Sequence, residues 1–575
     1  MNAILFGAIK RVGALVLLLL WSFTLVGQDV TGVWGGELIA GTAKIRVVFH
    51  IDRSETGYVA LMDSPDQGAR GIPVSAVILD GANLSIEIES LGAIYKGILM
   101  NDDLIDGSLS QMGMSFPLSL TKDKQEILPV SQRPEVVILS DDILGVWNGE
   151  FAYSGANNKL ALDIGKTSKE YTISMYNFGM GVQKFPVSSF VFDTPELSME
   201  IMQLGFVYKG VVVNDTLIDG SFTQMGMTFP LSLVKSLRPQ EPKQPFSYKV
   251  EDVSFSNEKA GAVFAGTVTT PVGEGPFPAV VLVSGSGAQN RDEEYLGHKP
   301  FLLIADHLTR NGIAVLRYDD RGFGESTGSR ISATTEDYME DALCAFEYLS
   351  KRPDIDKKRV GIIGHSEGGT ISFMAAARNK EIAFIISLAG GAVKGDMLLA
   401  KQNYDILIAL GISEEAASVY SAAIEEIGSV IDTRPYSDIV NNFEEIEEEL
   451  FKDKRDILPA NLMSNLSQIL RGGDVWLRFF IGNDPKNDIK NVSCPVFALN
   501  GSKDIQVDAE MNLSAVETYL KTAGNTNFTV RKYDGLNHMF QRCETGGVLE
   551  YSKIEETMSP EVLEDIKNWI LKTVK

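Results

Sequence analysis

Two serines in this chain sit in the same glycine frame, Gly364-His365-Ser366-Glu367-Gly368 and Gly324-Glu325-Ser326-Thr327-Gly328. A serine hydroxyl attacks a carbonyl only when a base takes its proton and N–H donors receive the charge that develops on oxygen. Both can be met where a strand turns sharply into a helix. The hydroxyl then stands at the tip of the turn, beside the free N–H groups of the helix. Glycines flank such a turn because Cβ atoms would collide in it. A glycine-rich chain produces the five-residue pattern by chance, so context decides. Ser366 follows the apolar run Val360-Gly361-Ile362-Ile363 and precedes the small-residue stretch Gly369-Thr370-Ile371-Ser372-Phe373-Met374-Ala375. Ser326 follows Asp319-Asp320-Arg321-Gly322-Phe323, has no apolar helix directly behind it, and reads as a loop residue.

Of the five histidines, only His538 lies C-terminal to Ser366, in Asp534-Gly535-Leu536-Asn537-His538-Met539-Phe540. That is where the base belongs when the partners follow the serine in the order acid, then histidine. His50 lies far upstream, His298 before a helix, and His307 inside one; His365 is expected to pack beneath the turn. The run Pro495-Val496-Phe497-Ala498-Leu499-Asn500-Gly501-Ser502-Lys503-Asp504 delivers an acid just past a strand, and Asp504 is expected to hold the imidazole tautomer. Asp508 reads better as a helix N-cap, and Asp534 is too near His538 in the same loop. Two main-chain donors complete the constellation: the N–H of Glu367, by position, and that of Ser286 in Gly285-Ser286-Gly287. Arg291-Asp292 and Asp319-Asp320-Arg321 flank the site and read as ion pairs that lock loops.

These residues need a frame that brings distant loops together. From about residue 246, apolar strand-like runs alternate with helix-spaced segments: 278–284, 313–318, 360–363, 382–389, 495–499 and 528–533 read as strands, and 301–310, 335–350, 367–378 and 560–573 as helices. Alternation with fully apolar strands implies a mostly parallel sheet covered on both faces. The alternation lapses over about 391–490, which is helical and carries the acid run Glu444-Glu445-Ile446-Glu447-Glu448-Glu449. A helical insertion there is expected to cap the C-terminal edge of the sheet, with the acid run as its solvated face.

The front of the chain is duplicated. Thr31-Gly32-Val33-Trp34-Gly35-Gly36-Glu37 answers Leu144-Gly145-Val146-Trp147-Asn148-Gly149-Glu150, and Leu91-Gly92-Ala93-Ile94-Tyr95-Lys96-Gly97 answers Leu204-Gly205-Phe206-Val207-Tyr208-Lys209-Gly210 at the same offset. Each copy (28–125 and 141–237) alternates polar and apolar residues and is expected to form a small antiparallel barrel or sandwich. Trp34 and Trp147 read as core residues, and Gln111 and Gln224 as turn or sheet positions. The stretches 122–140 and 235–245 read as linkers. Residues 1–27, with Lys10-Arg11 ahead of an apolar run, read as a cleaved secretory signal, which implies a secreted or periplasmic protein with no stable membrane insertion. The net charge of −24 argues against a nucleic-acid partner. Three cysteines do not make a disulfide framework, and nothing suggests a zinc site or a cofactor.

The stretches Gly285-Ser286-Gly287-Ala288-Gln289-Asn290-Arg291-Asp292, Leu316-Arg317-Tyr318-Asp319-Asp320-Arg321-Gly322, the Ser366 pentapeptide, Leu499-Asn500-Gly501-Ser502-Lys503-Asp504 and Gly535-Leu536-Asn537-His538-Met539-Phe540 resemble the α/β-hydrolase superfamily, and within it the EstD-type bacterial esterases. The resemblance implies an α/β-hydrolase fold behind two all-β repeat domains. It also implies hydrolysis of small-molecule carboxylic esters by Ser366, Asp504 and His538 without a cofactor. Ser284 departs from the family, where many members carry histidine. Two other activities fit the same constellation, a serine peptidase of prolyl-oligopeptidase type and an acyl-thioester hydrolase. A reading of another class is a glycan- or lipid-binding protein with a vestigial hydrolase. Oligomeric state is not legible.

Overall fold

In a computed structural model of the chain, the described residues are 29–575 apart from 41–42, 55–56, 65–68, 89–92, 102, 112–113, 124–134, 139, 154–155, 167–170, 178–182, 225–226, 331–332 and 472–474. The expected secretory signal lies outside the described residues. The described residues fall into two compact units, one within 1–133 and one within 134–575.

The first unit is a β-rich sheet of ten strands. Its strand Gly32–Ala40 pairs antiparallel with Ala43–Ser54 on one side and Leu120–Asp123 on the other. Trp34 is fully buried and its indole N–H donates to the Val30 carbonyl at 2.7 Å. The same pattern recurs at the start of the second unit, in a β-rich sheet of eleven strands. There Gly145–Tyr153 pairs with Ala156–Lys166 and Leu233–Lys235, and Trp147 donates to the Ile143 carbonyl at 2.8 Å. Both tryptophans are core residues because a large aromatic ring fills the interior while its one polar atom finds a carbonyl. Gln224 holds a sheet position and donates to the Leu204 carbonyl.

The stretches read as linkers are more structured than their composition implied. Within 122–140, Glu135–Ile138 is a strand pairing parallel with Ser189–Asp193. Within 235–245, Ser236 and Arg238 donate to main-chain carbonyls of residues 552 and 554, while Gln240 both donates to and accepts from the main chain at 557–558. Proline and charge keep this stretch out of a sheet, but its polar side chains satisfy the backbone of another loop.

Behind it lies an eight-stranded sheet: β1 (Lys249–Asn257), β2 (Ala262–Thr270), β3 (Phe277–Val283), β4 (Ala314–Tyr318), β5 (Ile355–His365), β6 (Ile385–Leu388), β7 (Val496–Gly501) and β8 (Phe528–Tyr533). The order is β1-β2-β4-β3-β5-β6-β7-β8, antiparallel up to the β2–β4 pair and parallel from there on. Successive residues of β3 face opposite sides. Val281 and Val283 join the core under helices Thr335–Ser350, Glu367–Arg378 and Ala509–Thr522, whereas Val280 and Leu282 join the core under Pro300–Arg310 and Pro560–Thr573. Burial on both faces is why the parallel strands read as unbroken apolar runs. Between β6 and β7, helices from Gly395–Ala409 to Ala460–Arg471 carry a separate core around Tyr420, Ile424, Phe443, Leu466 and Leu470, and helix Val475–Gly482 follows. In helix Phe443–Phe451, Phe443, Ile446 and Phe451 are buried and most of the glutamates face solvent.

Candidate active site

β5 ends at His365, and helix Glu367–Arg378 starts two residues later. Ser366 between them has φ 54° and ψ −120°, the strained turn that lifts a side chain clear of both elements. The flanking glycines are obligatory. A Cβ on Gly364 would overlap the Gly368 carbonyl, and one on Gly368 would overlap the Val283 and Ser284 carbonyls. Ser366 is half-buried, and its N–H donates to the Leu388 carbonyl at 2.9 Å.

Asp504 follows β7 and His538 follows β8, and the two meet. His538 Nδ1 lies 2.8 Å from Asp504 Oδ2. The other carboxylate oxygen accepts the N–H groups of Gln506 and Val507, each at 2.8 Å. Asp504 is thereby a fixed acceptor, which places the imidazole proton on Nδ1 and leaves the Nε2 lone pair available. The His538 loop touches the serine turn through His365, whose ring centroid lies 4.7 Å from that of His538. Asp508 caps helix Ala509–Thr522, accepting the Met511 N–H at 2.7 Å, so it is engaged elsewhere.

The two expected oxyanion donors differ in setting. Glu367 opens its helix, where the first N–H groups have no partner within the helix. In the loop after β3, the Gly285 N–H is committed to Glu293 Oε1 and the Gln289 N–H to Asp320 Oδ2. Ser286 between them is exposed, and among the described residues its N–H donates to no acceptor.

Ser326 does not stand in a turn of this kind. Its hydroxyl donates to the Asp319 carbonyl at 2.7 Å and accepts the Ala265 N–H at 3.0 Å, a loop-fixing role. Arg291 is bound to Asp319 through both its main-chain and guanidinium N–H groups, and Arg321 is bound to Asp341. Ser284, the departure from the family pattern, donates to Asp320 Oδ1 at 2.8 Å. Burial pushes the Asp320 carboxyl up to about 8, against the lowering effect of the bonds from Ser284 and Gln289. His298 is a buried structural residue bonded to Thr557 and the Tyr551 carbonyl; burial, then Arg238, pushes it down to about 3. His50 pairs with Asp63 and His307 with Glu564.

Several residues beside the site went unread in the sequence. The Asn537 side chain accepts the N–H groups of Met539 and Gln541 and donates to Gln541 Oε1, a closed lock on the His538 loop. The Glu367 carboxylate accepts from Thr335 Oγ1 at 2.6 Å and from the indole N–H of Trp476 at 2.9 Å. Burial raises the pKa of Glu367 in spite of these donors. Trp476 belongs to the helical insertion, which therefore reaches the residue next to Ser366. Among the described residues, no three His, Cys, Asp or Glu side chains group as a metal site.

Residues 299–422, which include the serine turn, match the family model described as Serine aminopeptidase, S33. Esterase EstD of Thermotoga maritima is 28% identical over 330 residues, which cover 57% of this chain and 69% of EstD. YtaP of Bacillus subtilis, named as a hydrolase, is 30% identical over 230 residues, covering 37% of this chain and 74% of YtaP. An esterase structure from Pyrococcus furiosus aligns with 59% of this chain and 97% of its own length at 16% identity, with a TM-score of 0.36.

Proposed function

The chain belongs to the EstD-type α/β hydrolases and is a carboxylic ester hydrolase, and from that premise we propose that it works through an acyl-enzyme formed on Ser366. His538 Nε2 takes the Ser366 proton as Oγ attacks the ester carbonyl. Asp504 holds the tautomer and stabilises the imidazolium. The N–H groups of Glu367 and Ser286 receive the oxyanion, and removal of one such donor costs about 10²–10³ in rate. The imidazolium then protonates the departing alcohol, and water clears the acyl group by the same route.

The observation that carries this reading is the Asp504–His538 pair, 2.8 Å apart and packed against the turn that bears Ser366. The substrates are small-molecule esters. The acidic chain disfavours nucleic acid, and the N-terminal apolar segment supports secretion or a periplasmic location. The duplicated segments 28–125 and 141–237 are two all-β modules ahead of a hydrolase domain over 246–575, with the helical insertion as its cap.

Replacing Ser366 with Ala is expected to abolish both p-nitrophenyl ester hydrolysis and organophosphonate labelling, whereas Ser326→Ala retains both. Labelling that survives in Ser366→Ala overturns the assignment. The matched family model, named for an aminopeptidase, favours a second reading as a serine peptidase. kcat/KM on aminoacyl amides against simple esters separates the two.

A further inference from the structure

Glu293 and His365 take no step in the chemistry above, yet both are buried at its centre, 4% and 6% exposed. Glu293 Oε1 accepts the Gly285 N–H at 2.8 Å and lies 3.0 Å from His365 Nδ1. Across the ring, His365 Nε2 lies 3.0 Å from the main-chain carbonyl of His538. A carbonyl only accepts, so Nε2 carries a proton. Glu293 Oε1 already accepts one N–H, and it accepts Nδ1–H as well when the pair is an imidazolium against a carboxylate, whose Oε2 is buried without a partner among the described residues. Burial alone pushes His365 down. The charge and hydrogen bond of Glu293, with the His538 carbonyl and the Asp504 charge behind it, hold it above its ordinary value.

The pair joins three segments that the chemistry needs in register. Gly285 belongs to the loop that supplies the Ser286 donor, His365 adjoins the nucleophile, and His538 is the base. The spacing among them is tight, since a Cβ on Gly285 would stand 3.0 Å from Ser366 Cβ. Glu293 reaches this position with a left-handed backbone, φ 51°, its N–H held by the Asn290 carbonyl at 2.9 Å. A non-glycine residue in that region is strained and persists only where its surroundings hold it. A side chain that needed only to cap one loop amide would not require such a backbone.

We propose that Glu293 and His365 act as one buried positioning pair that sets the spacing between the oxyanion loop, the Ser366 turn and the His538 loop. The proposal rests on the reading of Ser366 and His538 as nucleophile and base. Neither member touches substrate. Their effect falls on the rate of the chemical step, where a misplacement of about 1 Å costs on the order of 10²-fold.

Glu293→Gln is the informative variant, because its amide oxygen can still accept the Gly285 N–H while the charge is lost. Glu293→Gln, His365→Gln and the double variant are compared in the full-length protein on a p-nitrophenyl ester. Organophosphonate labelling and thermal unfolding are followed alongside. The expected result is a kcat lowered about ten- to a hundredfold in each single variant, with KM within about threefold. Labelling is slower but reaches full amplitude, so that the protein is folded and competent. The double variant loses no more than the worse single one, as residues acting as a unit do. A folded Glu293→Gln or His365→Gln with kcat within about twofold of the parent overturns the proposal, as do losses that multiply in the double variant or losses that only track labelling amplitude. Ser366→Ala is run beside them. If it keeps activity, the reading of the nucleophile fails; if it is inactive while the pair variants are unaffected, the positioning proposal fails alone.

Discussion

Replacing Asp504 with Asn tests the acid at the level of single hydrogen bonds. The carboxylate receives three N–H groups: Gln506 and Val507 on Oδ1, and His538 Nδ1 on Oδ2, all at 2.8 Å. Asparagine has one oxygen and one NH₂ group. If the oxygen stays on the two main-chain donors, the NH₂ group faces His538 Nδ1. If it flips, two main-chain N–H groups meet a donor in a buried site, each costing about 1–3 kcal/mol. The first arrangement therefore prevails. It forces Nδ1 to accept, moves the imidazole proton to Nε2 and removes the lone pair that, in the proposed mechanism, takes the Ser366 proton. A wrong tautomer of this kind costs about 10⁴ in kcat, or roughly 5.5 kcal/mol in barrier height. The fold should hold, because every donor at Oδ1 keeps its acceptor. Initial rates on a p-nitrophenyl ester and the rate of organophosphonate labelling should fall together, with thermal unfolding little changed. Raising the pH should not restore activity, since the tautomer and not the total proton count is at fault. Asp508→Asn preserves a helix cap and should leave the rate near that of the parent. A folded Asp504→Asn that keeps more than about a tenth of parental kcat would falsify the role given to Asp504.

Other consequences can be measured separately. Gly368→Ala drives a Cβ into the Val283 and Ser284 carbonyls, so it should lower stability by about 1–3 kcal/mol or more and depress kcat, with thermal unfolding and ester hydrolysis as readouts. Asp320 keeps its proton in the folded protein up to about 8, against an ordinary 3.8. A folded-state pKa raised in this way gives stability that is full below pH 4 and lost as pH climbs to about 8. Urea unfolding should therefore show Asp320→Asn gaining on the parent across that window, by at most roughly 6 kcal/mol, and a constant difference would count against it. Arg238→Met removes N–H bonds to the Leu296, Ser552 and Ile554 carbonyls. It should lower the unfolding temperature by several degrees, corresponding to about 1–3 kcal/mol, and no change would show the clamp to be idle.

The serine turn was legible because its requirements are local: apolar strand, paired glycines, small-residue helix. The meeting of Asp504 and His538 was legible because the order of strands places these residues after the last two, and their side chains lie in contact. What escaped was set by contacts that no periodicity marks. Glu293 looks like one more acid in a charged loop; only a left-handed backbone turns it inward, onto a histidine 72 residues away. His365 was expected merely to pack, although both ring nitrogens are engaged. Trp476 lies in an insertion whose internal spacing says nothing about which residue ahead of it will meet Glu367. β5 begins at Ile355, ahead of the apolar run, because Lys357, Lys358 and Arg359 occupy an end of the strand that solvent reaches.

The duplicated front end gains meaning from where its copies differ. The second sheet packs Val146, Ala161 and Tyr176 against Leu296, Met539 and Tyr551. Met539 adjoins His538, and Gln506, whose N–H holds Asp504, donates its side-chain amide to the Tyr551 hydroxyl at 3.0 Å. This face therefore backs the loops of both His538 and Asp504, and Asn148 and Arg238 pin it to the Ser552 carbonyl. At the constant offset between the copies, Tyr176, Asn148 and Arg238 correspond to Asp63, Gly35 and Gln125. Both copies keep the buried tryptophan and its carbonyl partner, which folding requires of each. They diverge at side chains that the second copy uses against the hydrolase loops. Such divergence is expected when one copy has become part of the catalytic unit. It agrees with the described residues within 134–575 forming one compact unit while those within 1–133 form another.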